Sequence, residues 1–100
     1  METMTKTRLE LELEIKMNLI LIISMMIDDY YDFAGYEITD EQSSIMAKVI
    51  VDSWKTIKET DFMKFINQAK AGKFGMIYNN VPSFMNAFNQ FKKENSHMMP

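Results

Sequence analysis

One hundred residues, 47% of them hydrophobic and a quarter charged, describe one globular domain, neither disordered nor fibrous. The absence of cysteine excludes disulfides, thiolate metal sites and cysteine nucleophiles together, and fits a reducing, cytoplasmic setting. The net charge of −3 is unevenly held: residues 1–52 carry four basic and eleven acidic residues, and residues 53–100 seven basic and three acidic. Such a split lets the second half attract an anion, or lets opposite faces attract within the fold or between copies.

Met1 to Thr7 is polar and is expected to fray. From Leu9 to Leu19 every odd position is apolar: Leu9, Leu11, Leu13, Ile15, Met17, Leu19. That alternation is a strand template. The residue types favour a helix, because Leu, Glu, Lys and Met are strong helix formers. No turn residue interrupts the run through Ile27, which is longer than a typical strand. A long helix over Lys6 to Tyr31 is predicted, with Leu13, Met17, Ile20, Ser24, Ile27 and Tyr31 along one stripe. The alternative is a short N-terminal strand pairing with another copy. The most apolar stretch, Met17 to Ile27, falls short of the ~20 residues that span a bilayer. Glu10, Glu12 and Glu14 before it and Asp28-Asp29 after it do not fit a signal peptide. No membrane association is expected.

Asp32 to Ile38 reads as a connection turned by Gly35. Thr39 and Gln42 then fit a capping box, with Asp40 and Glu41 at the positive end of the helix dipole. Ile45, Met46, Val49, Ile50, Trp54 and Ile57 follow at helical spacing, so a second helix is predicted through Ile57. Lys58-Glu59-Thr60 is a corner, and Thr60 or Asp61 is the expected cap of a third helix burying Phe62, Phe65, Ile66 and Ala69. Gly72 falls where a left-handed glycine ends a helix. Pro82, after Asn79-Asn80-Val81, suits the first turn of a fourth helix. Phe84, Met85, Phe88 and Phe91 form its stripe, and Lys92 and Lys93 suit its negative end. Asn95 to Pro100 is expected to be a loose tail. The predicted fold is all-α: one domain, residues 1–100, a bundle of about four helices with a glycine-containing loop between the third and fourth. The eleven methionines fill irregular core space or line an adaptable surface, and core filling is the simpler reading.

Catalytic chemistry is sparse. His97 is the one histidine, so a histidine-based catalytic or zinc site lacks partners. Asp28, Asp29 and Asp32 cluster, yet a calcium loop starting at Asp28 would need a ligand at Tyr30 and a glycine at Phe33. Ser43 and Ser44 have no histidine base. The glycines fit neither a P-loop nor a dinucleotide fingerprint. No enzyme activity, cofactor or metal is expected.

The segment Lys70-Ala71-Gly72-Lys73-Phe74-Gly75-Met76-Ile77-Tyr78 carries the strongest binding signal. Lys70 and Lys73 suit phosphates, and Phe74 and Tyr78 suit stacking on a base. Lys64, Lys92 and Lys93 would enlarge that surface for nucleic acid or a protein partner. In the competing reading Phe74, Ile77 and Tyr78 turn into the core and the lysines are merely solvated.

Asp28-Asp29-Tyr30-Tyr31, Thr39-Asp40-Glu41-Gln42, Asp61-Phe62 and the Lys-x-Gly-Lys-Phe-Gly-x-Ile-Tyr motif, in that order, resemble an uncharacterised family. Its members are short helical proteins of phages and mobile elements of gut bacteria, and the resemblance covers roughly Asp28 to Glu94. A weaker resemblance links Tyr30, Phe33, Thr39, Glu41 and Trp54 to the helical domain of phage helicase loaders, whose double-proline segment is here reduced to Pro82. That resemblance implies a cofactor-free protein gripping a replicative helicase through a helical surface. The expected function is therefore a non-enzymatic adaptor of a phage or mobile element, acting in replication through a protein partner. The alternatives are a nucleic-acid-binding accessory protein using Lys70 to Tyr78, and a structural module that forms homo-oligomers.

Overall fold

Thr7 opens the first helix in the computed structural model of the chain, which describes residues 7–95. Its side chain accepts a hydrogen bond from the Glu10 N–H at 3.1 Å and caps α1, Arg8–Ala34. The Leu9–Leu19 alternation is thus helical, and Thr7 is fixed as a cap rather than frayed. Met1 to Lys6 lie outside the described residues. α1 continues three residues beyond its predicted end because the glycine stop comes at Gly35, with φ 83°. The Gly35 N–H reaches the Asp32 carbonyl and the Tyr36 N–H the Tyr31 carbonyl, at 3.2 and 2.9 Å. This paired bonding satisfies the last carbonyls of the helix.

α2 spans Asp40–Ser53 and begins with the Thr39–Gln42 capping box. It ends four residues short of the predicted Ile57. Trp54 leaves helical geometry at φ −140°, ψ 84°. Its indole N–H donates to Thr56 Oγ1 at 3.2 Å, and the Ile57 N–H closes a turn on the Trp54 carbonyl at 3.0 Å. Trp54 and Ile57 are buried all the same, so they enter the core from a turn rather than from a helix face. Ile45, placed on the buried face by spacing, is exposed, while Ala47 and Val51 take that role.

α3, Glu59–Lys70, starts one residue before the expected caps. Lys58 occupies the cap position and donates its backbone N–H to Asp61 Oδ2 at 2.9 Å. α4, Val81–Glu94, is capped by Asn80, whose side chain accepts from the Ser83 N–H at 2.9 Å, with Pro82 in the first turn. Ala87 rather than Met85 completes its buried stripe with Phe84, Phe88 and Phe91. Asn95 is not a loose end: it is buried, and its amide donates to the Phe91 carbonyl at 2.8 Å. Residues 96–100, His97 among them, lie outside the described residues.

The result is an all-α four-helix arrangement in which α1 lies against α2 and α3, and α4 against α2 and α3. Its centre is aromatic. Phe65 meets Phe84 and Phe88 edge-on at 5.6 and 5.3 Å, and Phe91 and Phe74 at 5.4 and 5.3 Å in tilted geometry. Edge-on and tilted rings bring the positive edge of one ring to the negative face of the next. Phe62 also meets Phe84 and Phe88, at 6.4 and 6.1 Å, so phenylalanine at five positions in α3 and α4 specifies how those two helices meet. No helix among the described residues is long and apolar enough to cross a membrane.

Candidate functional site

The segment after α3 is a rigid corner. Gly72, at φ 85°, donates its N–H to the Ala69 carbonyl at 3.0 Å, and Lys73 donates to the Gln68 carbonyl at 3.1 Å. Gly75, at φ 71°, turns the chain again and donates to the Gly72 carbonyl at 3.1 Å. Ile77 then plugs into the core. The Tyr78 N–H donates to Ser83 Oγ at 2.8 Å, and the Tyr78 carbonyl accepts from the Tyr31 hydroxyl at 2.6 Å. Burial, with Tyr30 and Tyr36 adding to it, pushes the Tyr31 hydroxyl well above the usual tyrosine range, so it remains a donor.

The lysines proposed from sequence do not form one free cationic surface. Lys70 turns to α1, where it pairs with Asp29 at 2.5 Å and lies 5.4 Å from the centre of the Phe33 ring. Lys73 turns to α4 and pairs with Glu94 at 2.8 Å. That hydrogen bond holds the Glu94 carboxyl below its usual range. Lys64 donates to Asn95 Oδ1 at 3.2 Å, and Lys92 to the Ser53 carbonyl at 3.3 Å. Lys93 is exposed. The two rings also part company. Phe74 is half-buried against Phe65, whereas Tyr78 is 51% exposed and lies 6.3 Å from Tyr36. The corner therefore holds its own helices together, and the carboxylates of Asp29 and Glu94 offset the two lysines best placed for a phosphate.

A concavity of about 760 Å³ opens where α1 turns into α2 and is rimmed by Asp28, Asp32, Glu37 and Asp40. Its acidity disfavours anions. No group of three metal-ligating side chains occurs among the described residues.

A different surface stands out. Among the described residues, eight of the twelve exposed large hydrophobic side chains belong to α1, from Leu9 (74% exposed) to Phe33. Five of them, Leu9, Leu11, Leu13, Ile15 and Met17, fall within three turns at the start of the helix. Leu13 and Met17, predicted on the buried stripe, are exposed because the core face of α1 starts only near Leu19 and Ile20. The signal was present in the sequence. Apolar residues at every second position of a helix cover all of its sides, since side chains advance by 100° per residue. One side of such a helix faces the fold at most, and here residues 8–18 are exposed throughout. In that stretch the side chain of Lys16 pairs with Asp52 of α2 at 3.0 Å.

No family model, no curated protein and no solved structure matches this chain.

Proposed function

We propose that this chain is a non-enzymatic adaptor of a phage or mobile element, working by docking a protein partner on a helical surface. The observation that carries the reading is the apolar first half of α1, exposed from Leu9 to Met17. Large apolar side chains exposed together on one helix mark a surface that a partner covers. The helicase-loader resemblance supplies the class of partner, a replicative DNA helicase. Direct nucleic-acid binding by the Lys70–Tyr78 corner has less support, because Lys70 and Lys73 are each engaged by a carboxylate.

The test is size-exclusion chromatography of the purified chain with the replicative helicase of its host or element. Co-elution of the wild-type chain, lost in Leu11→Glu/Ile15→Glu, supports the reading. Separate elution of the two proteins overturns the replication role.

A further inference from the structure

We propose that the exposed face of α1 is covered by a second copy of this chain, laid antiparallel so that Asn18 meets its counterpart at a two-fold axis. The inference rests on the docking reading above only in taking α1 as the surface used.

The register comes from the sequence of α1. Leu11, Ile15, Asn18, Ile22, Met25 and Asp29 follow one another at alternating steps of four and three residues. That is the spacing of a coiled-coil seam. The residues that α1 buries in its own fold are Ile23, Ser24, Ile27, Tyr30 and Tyr31, which point the other way. A seam thus runs along the outer face of a helix whose inner face is already used. Its one polar position in the middle, Asn18, is the device by which such seams fix register.

Shape decides the direction. In a parallel pair the exposed first halves of α1 would lie on each other. A two-fold axis at Asn18 instead carries Leu11 onto Met25, Ile15 onto Leu21 beside Ile22, and Arg8 onto Asp28 beside Asp29, and repeats each contact at both ends.

Alongside the second half of α1 runs a groove of about 470 Å³ between α1 and α3, lined by Ile22, Met25, Met26, Met63 and Ile66. Asp29, paired with Lys70, and Glu59 complete its rim. Leu11 and Ile15 of an antiparallel partner fit its apolar floor, whereas a parallel partner leaves it empty. This arrangement also accounts for the length of α1. Residues 8–18 gain no core burial in one copy, although they continue a helix whose second half is packed. Laid against a second copy, they gain packing of their own.

The experiment is sedimentation equilibrium over a concentration series, with cysteine trapping to read direction. The wild-type chain is expected to approach twice its 11.8 kDa mass, and Leu11→Glu/Ile15→Glu to remain at 11.8 kDa. Because the chain has no cysteine, disulfides form only where introduced. An oxidised mixture of Leu11→Cys and Met25→Cys chains is expected to cross-link between the two variants, and each variant alone to remain uncross-linked. A wild-type chain at 11.8 kDa throughout, a double variant that still dimerises, or Leu11→Cys linking to itself would overturn the proposal. The two readings fail separately. A monomer that binds helicase sinks self-association alone, and a dimer that ignores helicase sinks the replication role alone.

Discussion

The hydroxyl of Tyr31, near the end of α1, donates a 2.6 Å hydrogen bond to the backbone carbonyl of Tyr78, 47 residues further along. This bond fastens the glycine corner to the first helix from inside the fold. Tyr31→Phe keeps the ring against Phe84 but leaves the carbonyl unpaired. The expected loss is about 1–2 kcal/mol of stability, measured by urea unfolding. The pH dependence has a definite sign. The folded hydroxyl holds its proton more tightly than an unfolded tyrosine at 10.0, so its contribution is full below pH 10.0. It is lost as pH rises through the raised folded value. Tyr31→Phe should therefore flatten the alkaline side of the stability profile, and an unchanged profile would remove Tyr31 from the account.

Phe65 is the centre of the aromatic core, wholly buried among rings from α3, α4 and the corner. Phe65→Ala should destabilise by about 3–5 kcal/mol, through lost transfer energy and the cavity left behind. Met76, exposed in the corner that follows the same helix, serves as the control. Met76→Ala should change stability by no more than about 0.5 kcal/mol.

Gly72 has open space where a Cβ would go, with no atom within 4 Å. Its φ of 85° is the constraint. Gly72→Ala should cost about 1 kcal/mol for the left-handed backbone alone, with no steric addition. A melting temperature equal to that of the wild type would show that the corner tolerates another conformation.

Much of this architecture was legible because its signals are local. Thr39 and Gln42 bond to each other's backbone within one turn, Gly72 stops a helix where it stands, and Phe62, Phe65, Ile66 and Ala69 repeat at helical spacing. What was not legible depends on residues far apart. Asp29 lies 41 positions from Lys70, and Glu94 lies 21 from Lys73, so the sequence displayed lysines without their carboxylates. Trp54 and Ile57 kept the helical period although the chain had left the helix, because a turn can aim two side chains at the core as well as a helix can. Leu13 and Met17 matched the stripe of α1, but a stripe is buried only where another element lies alongside. The Leu9–Met17 pattern held the clue to the docking face, in apolar residues on every side of one helix.

The Lys73–Glu94 pair gives a prediction in acid. Its hydrogen bond lowers the Glu94 carboxyl from its ordinary 4.5, so the folded protein releases that proton more readily than the unfolded chain does. The pair's contribution is present above pH 4.5 and is lost as pH falls through the lowered folded value. The melting curves of wild type and Lys73→Met should differ slightly at neutral pH and converge in acid. The same variant should leave nucleic-acid retention at low salt unchanged, measured by fluorescence anisotropy. Salt-sensitive binding abolished by Lys73→Met would place the phosphate surface at the corner after all.

The most direct test of α1 as the docking face is amide hydrogen exchange along Leu11 to Asn18, followed as chain concentration rises. Protection there is expected to increase with concentration, while amides of Phe65 and Phe88 in the core remain equally slow throughout. Exchange in Leu11 to Asn18 that is fast and unchanged at every concentration, and equally fast with helicase present, would contradict the account.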